Sequence, residues 1–64
     1  MLTYLKAVGC EDLDVQYYTS EDGTIILKRN PIHWGYFKDG TLVDRDQYRH
    51  DLAERHNFKL EERV

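Results

Sequence analysis

The sequence contains one cysteine, one proline and one methionine, and the scarcity of cysteine is the most restrictive of these. Cys10 has no partner with which to close an intramolecular disulfide, so a disulfide-stapled extracellular scaffold is excluded and a cytoplasmic location is expected. Long apolar runs are also missing. The longest, Ile25-Ile26-Leu27, is three residues, far short of a membrane span. The segment Met1–Lys6 lacks the basic and long apolar regions of a signal peptide, and the start at Met1 without a tag suggests a complete small gene product. There is no basic excess either. The formal charge is −3 and the pI about 5.5, which disfavours a chain that lives on a phosphate backbone.

At 64 residues the chain has room for one domain, residues 1–64, with a thin core. A domain of this size buries only about 60% of the surface its unfolded chain exposes. Hydrophobic residues at 41% against 33% charged place it among folded rather than disordered chains. Low-complexity stretches and linkers are absent.

Two turns stand out. Glu21-Asp22-Gly23-Thr24 and Lys38-Asp39-Gly40-Thr41 each precede a short apolar run. Asp-Gly between strand-like segments predicts a hairpin, because glycine supplies the positive φ. For the first hairpin a three-residue Glu21-Asp22-Gly23 loop, with Gly23 left-handed, pairs Thr19 with Ile25 and Tyr17 with Leu27. That register gathers Val15, Tyr17, Thr19, Ile25 and Leu27 on one face and is preferred to the two-residue loop, which sets Tyr17 opposite Lys28. Asn30-Pro31 interrupts pairing. His33 to Phe37 and Thr41 to Val43 form the second hairpin, which is apolar on both faces in either register.

A helix is predicted over 44–57. Asp44 is the expected N-cap, Gln47 sits at N3 for a capping box, and Val43 can staple onto Tyr48. Its buried stripe comprises Tyr48, Leu52 and Ala53 with parts of Arg49 and His56, and Asn57 is the stop. Residues 2–9 read as a strand, as does the alternation of Phe58, Leu60 and Val64. The fold class is α+β: an antiparallel meander of three or four strands with one C-terminal helix on one face.

Chemistry is harder to place. Cys10, His33, His50 and His56 are zinc-ligand types, but Cys10 lacks a second cysteine and a separation of six turns His50 and His56 to different helix faces. No cofactor or metal is expected. Cys10 shows no nucleophile signature, and the acidic pairs lie in loops, so an enzyme is not expected. Aromatic residues on strands are the remaining signal. Core positions absorb Tyr17, Trp34 and one of Tyr36 and Phe37, leaving a surplus that suits a protein interface.

The expected function is a non-enzymatic protein-binding module, homodimeric, acting as a small regulator or inhibitor of a larger partner. Size alone suggests a phage or mobile-element origin. Its contact surface is assigned to Tyr18, Ile26, Trp34, Tyr36 and Phe37, with Arg29 and Lys38 at the rim. The alternative is nucleic-acid binding through the sheet aromatics with Lys28, Arg29, Arg45 and Arg49.

Overall fold

The computed structural model describes residues 2–9 and 15–61. Strands β1 (Thr3–Val8), β2 (Tyr17–Ser20), β3 (Ile25–Arg29), β4 (Trp34–Lys38) and β5 (Thr41–Asp46) precede helix α1 (Arg49–Arg55) and strand β6 (Phe58–Glu61). They form one sheet in the order β5-β4-β3-β2-β1-β6. The first five strands make the antiparallel meander, whereas β6 returns to lie parallel to β1. The class is α+β as expected, with six strands rather than three or four. A parallel partner needs a crossover, and α1 supplies it.

That crossover joins the two outermost strands, so the sheet has to curl. Tyr36 on β4 and Phe58 on β6 are separated by three intervening strands, about 19 Å on a flat sheet. Their rings nevertheless meet edge to face at 5.0 Å between centroids. The inner face of the curl holds Leu5, Tyr18, Leu27, Trp34, Tyr36 and Phe58, closed by Leu52 and Ala53 of α1. Arg49 lays its guanidinium 5.6 Å from the Trp34 ring centre and pins the start of the helix to the sheet.

The second hairpin turns as its sequence dictates. Asp39 and Gly40 both have positive φ, 52° and 83°, and Lys38 pairs with Thr41, which is a two-residue type I′ loop. Beyond it the register slips at Tyr36/Phe37: Tyr36 faces Asp44 and Phe37 faces Leu42, leaving Val43 as the extra residue of a bulge.

The first hairpin corrects the expected register. Tyr17 faces Lys28, Tyr18 faces Leu27 and Thr19 faces Ile26. Gly23 is left-handed at φ 81° as expected, but side chains close the loop. Asp22 Oδ1 accepts from Ser20 Oγ at 2.8 Å, Thr24 N at 3.0 Å and Thr24 Oγ1 at 2.8 Å. Ser20 Oγ in turn accepts from Ile25 N at 3.1 Å. These bonds stand in for ladder bonds at the loop mouth, and the shift by one residue turns Tyr18 inward and Tyr17 outward.

The helix is also shorter than 44–57. Asp44 belongs to β5, and Tyr48 occupies the N-cap position without a side-chain cap. Asp46 Oδ1 accepts from Tyr48 N at 3.1 Å, so the acceptor that turns the chain comes from two residues beyond Asp44. Val43 and Tyr48 each remain more than half exposed and form no staple. The helix stops where expected. Asn57 takes φ 61° and its N–H reaches Glu54 O, after which β6 begins with buried Phe58.

Candidate binding surface

Strand alternation divides the sheet into two unlike faces. The helix covers the inner one. On the outer one, the pairing register aligns Lys6, Thr19, Ile26, Phe37 and Leu42 in one row across β1, β2, β3, β4 and β5. A second row holds Val8, Tyr17, Lys28, Gly35 and Arg45. Tyr4 with Lys59 extends the face at the β6 side, and Glu61 lies opposite Lys6. Tyr4 and Leu42 are about half exposed, while Tyr17, Thr19, Ile26 and Phe37 are partly covered by their neighbours.

Gly35 explains how Phe37 lies. A Cβ at Gly35 would sit 2.9 Å from Phe37 Cε1 and 3.2 Å from Leu42 Cδ1, so the ring occupies the space a side chain there would take. The absence of a side chain lets Phe37 and Leu42 close over the sheet as one apolar patch. Beside Tyr17 and Lys28 the surface dips into a hollow of about 490 Å³ lined also by Gln16, Arg29, Asn30 and Pro31.

Positive charge is concentrated on the outer face. Among strand residues the outer face presents Lys6, Lys28, Arg45 and Lys59 against the single carboxylate Glu61, a formal +3. The described residues sum to a formal charge of zero, so those off the outer face together carry −3.

The residues singled out in the sequence are split by this geometry. Tyr18 is fully buried, and Trp34 and Tyr36 are buried with it, their rings part of the core. The register shift places Tyr18 there instead of Tyr17. Ile26 and Phe37 do share the outer face. Arg29 and Lys38 lie on the inner side of the register, opposite Trp34 and Ile25, and both stay exposed near the sheet ends. Of the alternative cationic set, Lys28 and Arg45 face outward, while Arg49 packs on Trp34. Tyr4, Lys6, Leu42 and Lys59 were not singled out by the sequence reading. The alternation Tyr4, Lys6, Val8 carried the signal, once β1 was known to sit mid-sheet.

A second cluster lies where α1 meets β5. Asp44 Oδ2 accepts from Arg55 Nε at 3.0 Å and Nη2 at 2.9 Å and stands 2.8 Å from His56 Nε2. Asp46 Oδ2 accepts from Arg55 Nη1 at 2.8 Å. The hydrogen bonds from His56, the Arg45 backbone and Arg55 hold the Asp44 carboxyl down at about 2. Arg55 likewise depresses Asp46, and both carboxylates raise Arg55. An Asp–His pair can orient a catalytic base, but Asp44 spends its acceptors on Arg55 and the Arg45 N–H as well. The cluster ties the helix end to the edge strand.

Among the described residues no three histidine, cysteine, aspartate or glutamate side chains gather as metal ligands. Cys10 and the Glu11, Asp12 and Asp14 cluster lie outside those residues. No helix among the described residues is long and apolar enough to cross a membrane. No protein-family model matches this chain, and no curated protein or solved structure shows a significant match to it.

Proposed function

We propose that this chain is a non-enzymatic binding module that engages a larger macromolecule through the outer face of its sheet, acting as a small regulator of that partner. The observation that carries this reading is the uncovered face itself. One helix covers the inner side, whereas Tyr4, Tyr17, Ile26, Phe37 and Leu42 lie on the other side with no element of the described chain packed over them. Small proteins seldom leave a contiguous apolar patch uncovered without a binding role. The polar clusters support the same reading from the other direction, since the Asp22 and Asp44 networks serve a loop and a helix–strand junction.

Self-association through this face is disfavoured. A two-fold contact places the same patch against itself and would bring Lys6, Lys28 and Arg45 of two copies together. The partner is therefore read as a different molecule.

Photo-cross-linking tests the surface. A benzophenone amino acid replacing Thr19, at the middle of the outer face, should yield adducts in cells, and the same group replacing Glu54 on the helix should not. Adducts from the helix position alone would overturn the reading.

A further inference from the structure

We infer that the partner of the outer face is single-stranded nucleic acid, its bases stacking on Tyr17 and Tyr4 and its phosphates meeting Lys6, Lys28, Arg45 and Lys59. The inference rests on the reading of that face as the contact surface. It goes further by naming the partner's chemistry.

Charge complementarity is the first argument. A chain that is acidic as a whole gathers a formal +3 on one sheet face, whereas its other described residues sum to −3. The inner-face strand residues and the helix are each formally neutral, so the outer face is the side toward which a polyanion is drawn. Aromatic interleaving is the second. Tyr17 lies directly opposite Lys28, with Arg45 two strands further along the same row, a span of about 14 Å from β2 to β5. Tyr4 lies opposite Lys59 in the same way. Rings alternating with cations on an open sheet can stack unpaired bases while holding the backbone between them, and any base offers the ring a π-face. An acidic protein would use the cations but has no use for the ring planes beside Lys28 and Lys59. The hollow beside Tyr17, with Gln16 and Asn30 in its wall, gives an unstacked base both a ring and amide hydrogen-bonding groups.

Thr19 lies in the row between Tyr17 and Tyr4 and adds little bulk, and Phe37 with Leu42 provides an apolar floor at the β5 side. A duplex fits this arrangement poorly, because its bases are already stacked and it presents only phosphates to the rings.

Fluorescence anisotropy with a labelled oligothymidine of about twelve nucleotides tests this, with labelled poly-glutamate as the carboxylate polyanion. Binding of the oligonucleotide should weaken about fiftyfold between 50 and 200 mM salt if all four cations meet phosphates, each contributing about 0.7 to the log–log slope. Lys28→Glu and Arg45→Glu should each flatten that slope, and Lys38→Glu, whose side chain belongs to the other face, should leave it unchanged. Tyr17→Ala should weaken binding at least about fivefold and Tyr17→Phe should restore it, because stacking needs only the ring. Circular dichroism confirms that each variant is folded. No binding at 50 mM salt, or binding indifferent to Tyr17→Ala, overturns the inference. Equal affinity for poly-glutamate overturns it in favour of an acidic protein and leaves the outer face as the contact surface. Binding that survives both outer-face reversals and fails in Lys38→Glu overturns the inference and the surface together.

Discussion

His56 Nε2 lies 2.8 Å from Asp44 Oδ2, joining the end of the only helix among the described residues to edge strand β5. The same carboxylate receives two nitrogens of Arg55, while Asp46 receives the third. Asp44 and Asp46 can act together because they are two apart on one strand and so share a face. They add to the packing of α1 on the sheet through Leu52, Ala53 and the Arg49–Trp34 contact.

This junction predicts acid sensitivity. The Asp44 carboxyl titrates at about 2 in the folded chain against 3.8 for the free group. A depressed carboxylate contributes its stability above the unfolded value and loses it as pH falls through the folded one. The contribution is therefore complete above pH 4 and disappears toward pH 2. Asp44→Asn should lower the melting temperature at pH 7 and flatten the pH dependence between 4 and 2, read by circular dichroism. Asp22, held at about 2 by Thr24 and Ser20, acts in the same window, so the double variant should flatten it further. An unchanged slope in Asp44→Asn would remove the junction from the account of stability.

Adjacent tyrosines should behave oppositely. Tyr18 is fully buried and packs against Trp34 at 5.7 Å between ring centres. Truncating a buried aromatic costs about 3–5 kcal/mol, a large part of what so small a domain has. Tyr18→Ala should therefore unfold the chain or nearly so, as should Trp34→Ala. Tyr17→Ala should keep a cooperative urea transition. Read from the sequence alone, Tyr18 is the surface ring; urea melts of the two single variants decide between the readings.

What the sequence made legible was local. Both Asp-Gly turns, the left-handed Gly23, the stop at Asn57 and the alternating strand after it follow from backbone preferences of a few residues. What it concealed depended on distant partners. Asp44 has the local chemistry of an N-cap, and nothing within a helical turn shows that Arg55 and His56 will claim its carboxylate for a strand. The first hairpin offered two registers, and the side chains of Ser20, Asp22 and Thr24 decided between them by closing a longer loop. One step of register exchanged Tyr17 and Tyr18 and so took Tyr18 out of the expected contact surface. The basic outer face was hidden because its cations come from four different strands and the total charge has the opposite sign.

The second hairpin gives a prediction on turn chemistry. Asp39 sits at φ 52° and Gly40 at φ 83°, positions where asparagine and glycine are most at ease. Gly40→Ala should cost about 1 kcal/mol, because a Cβ is strained there although space around it is open. Asp39→Asn should be neutral or slightly stabilising. Thermal melts of both variants test the type I′ assignment, and an undisturbed Gly40→Ala would refute it.

Gly35 offers the sharpest test of the outer face, because two effects oppose each other there. Glycine inside a strand is worse than alanine by about 0.5–1 kcal/mol on entropic grounds, so Gly35→Ala would stabilise an open site. Here the new Cβ would stand 2.9 Å from Phe37 Cε1, closer than such contacts allow, and 3.2 Å from Leu42 Cδ1. Leu42 is half exposed and can yield, but the Phe37 ring can lift only by giving up its contact with the sheet. The clash should win, leaving Gly35→Ala destabilised by about 1–3 kcal/mol. Phe37→Ala in the same chain should then erase the penalty and reveal the alanine's intrinsic advantage, a coupling that a double-mutant cycle in urea measures directly. A stabilised single variant would mean that the ring does not lie over Gly35, and the apolar part of the outer face would have to be redrawn.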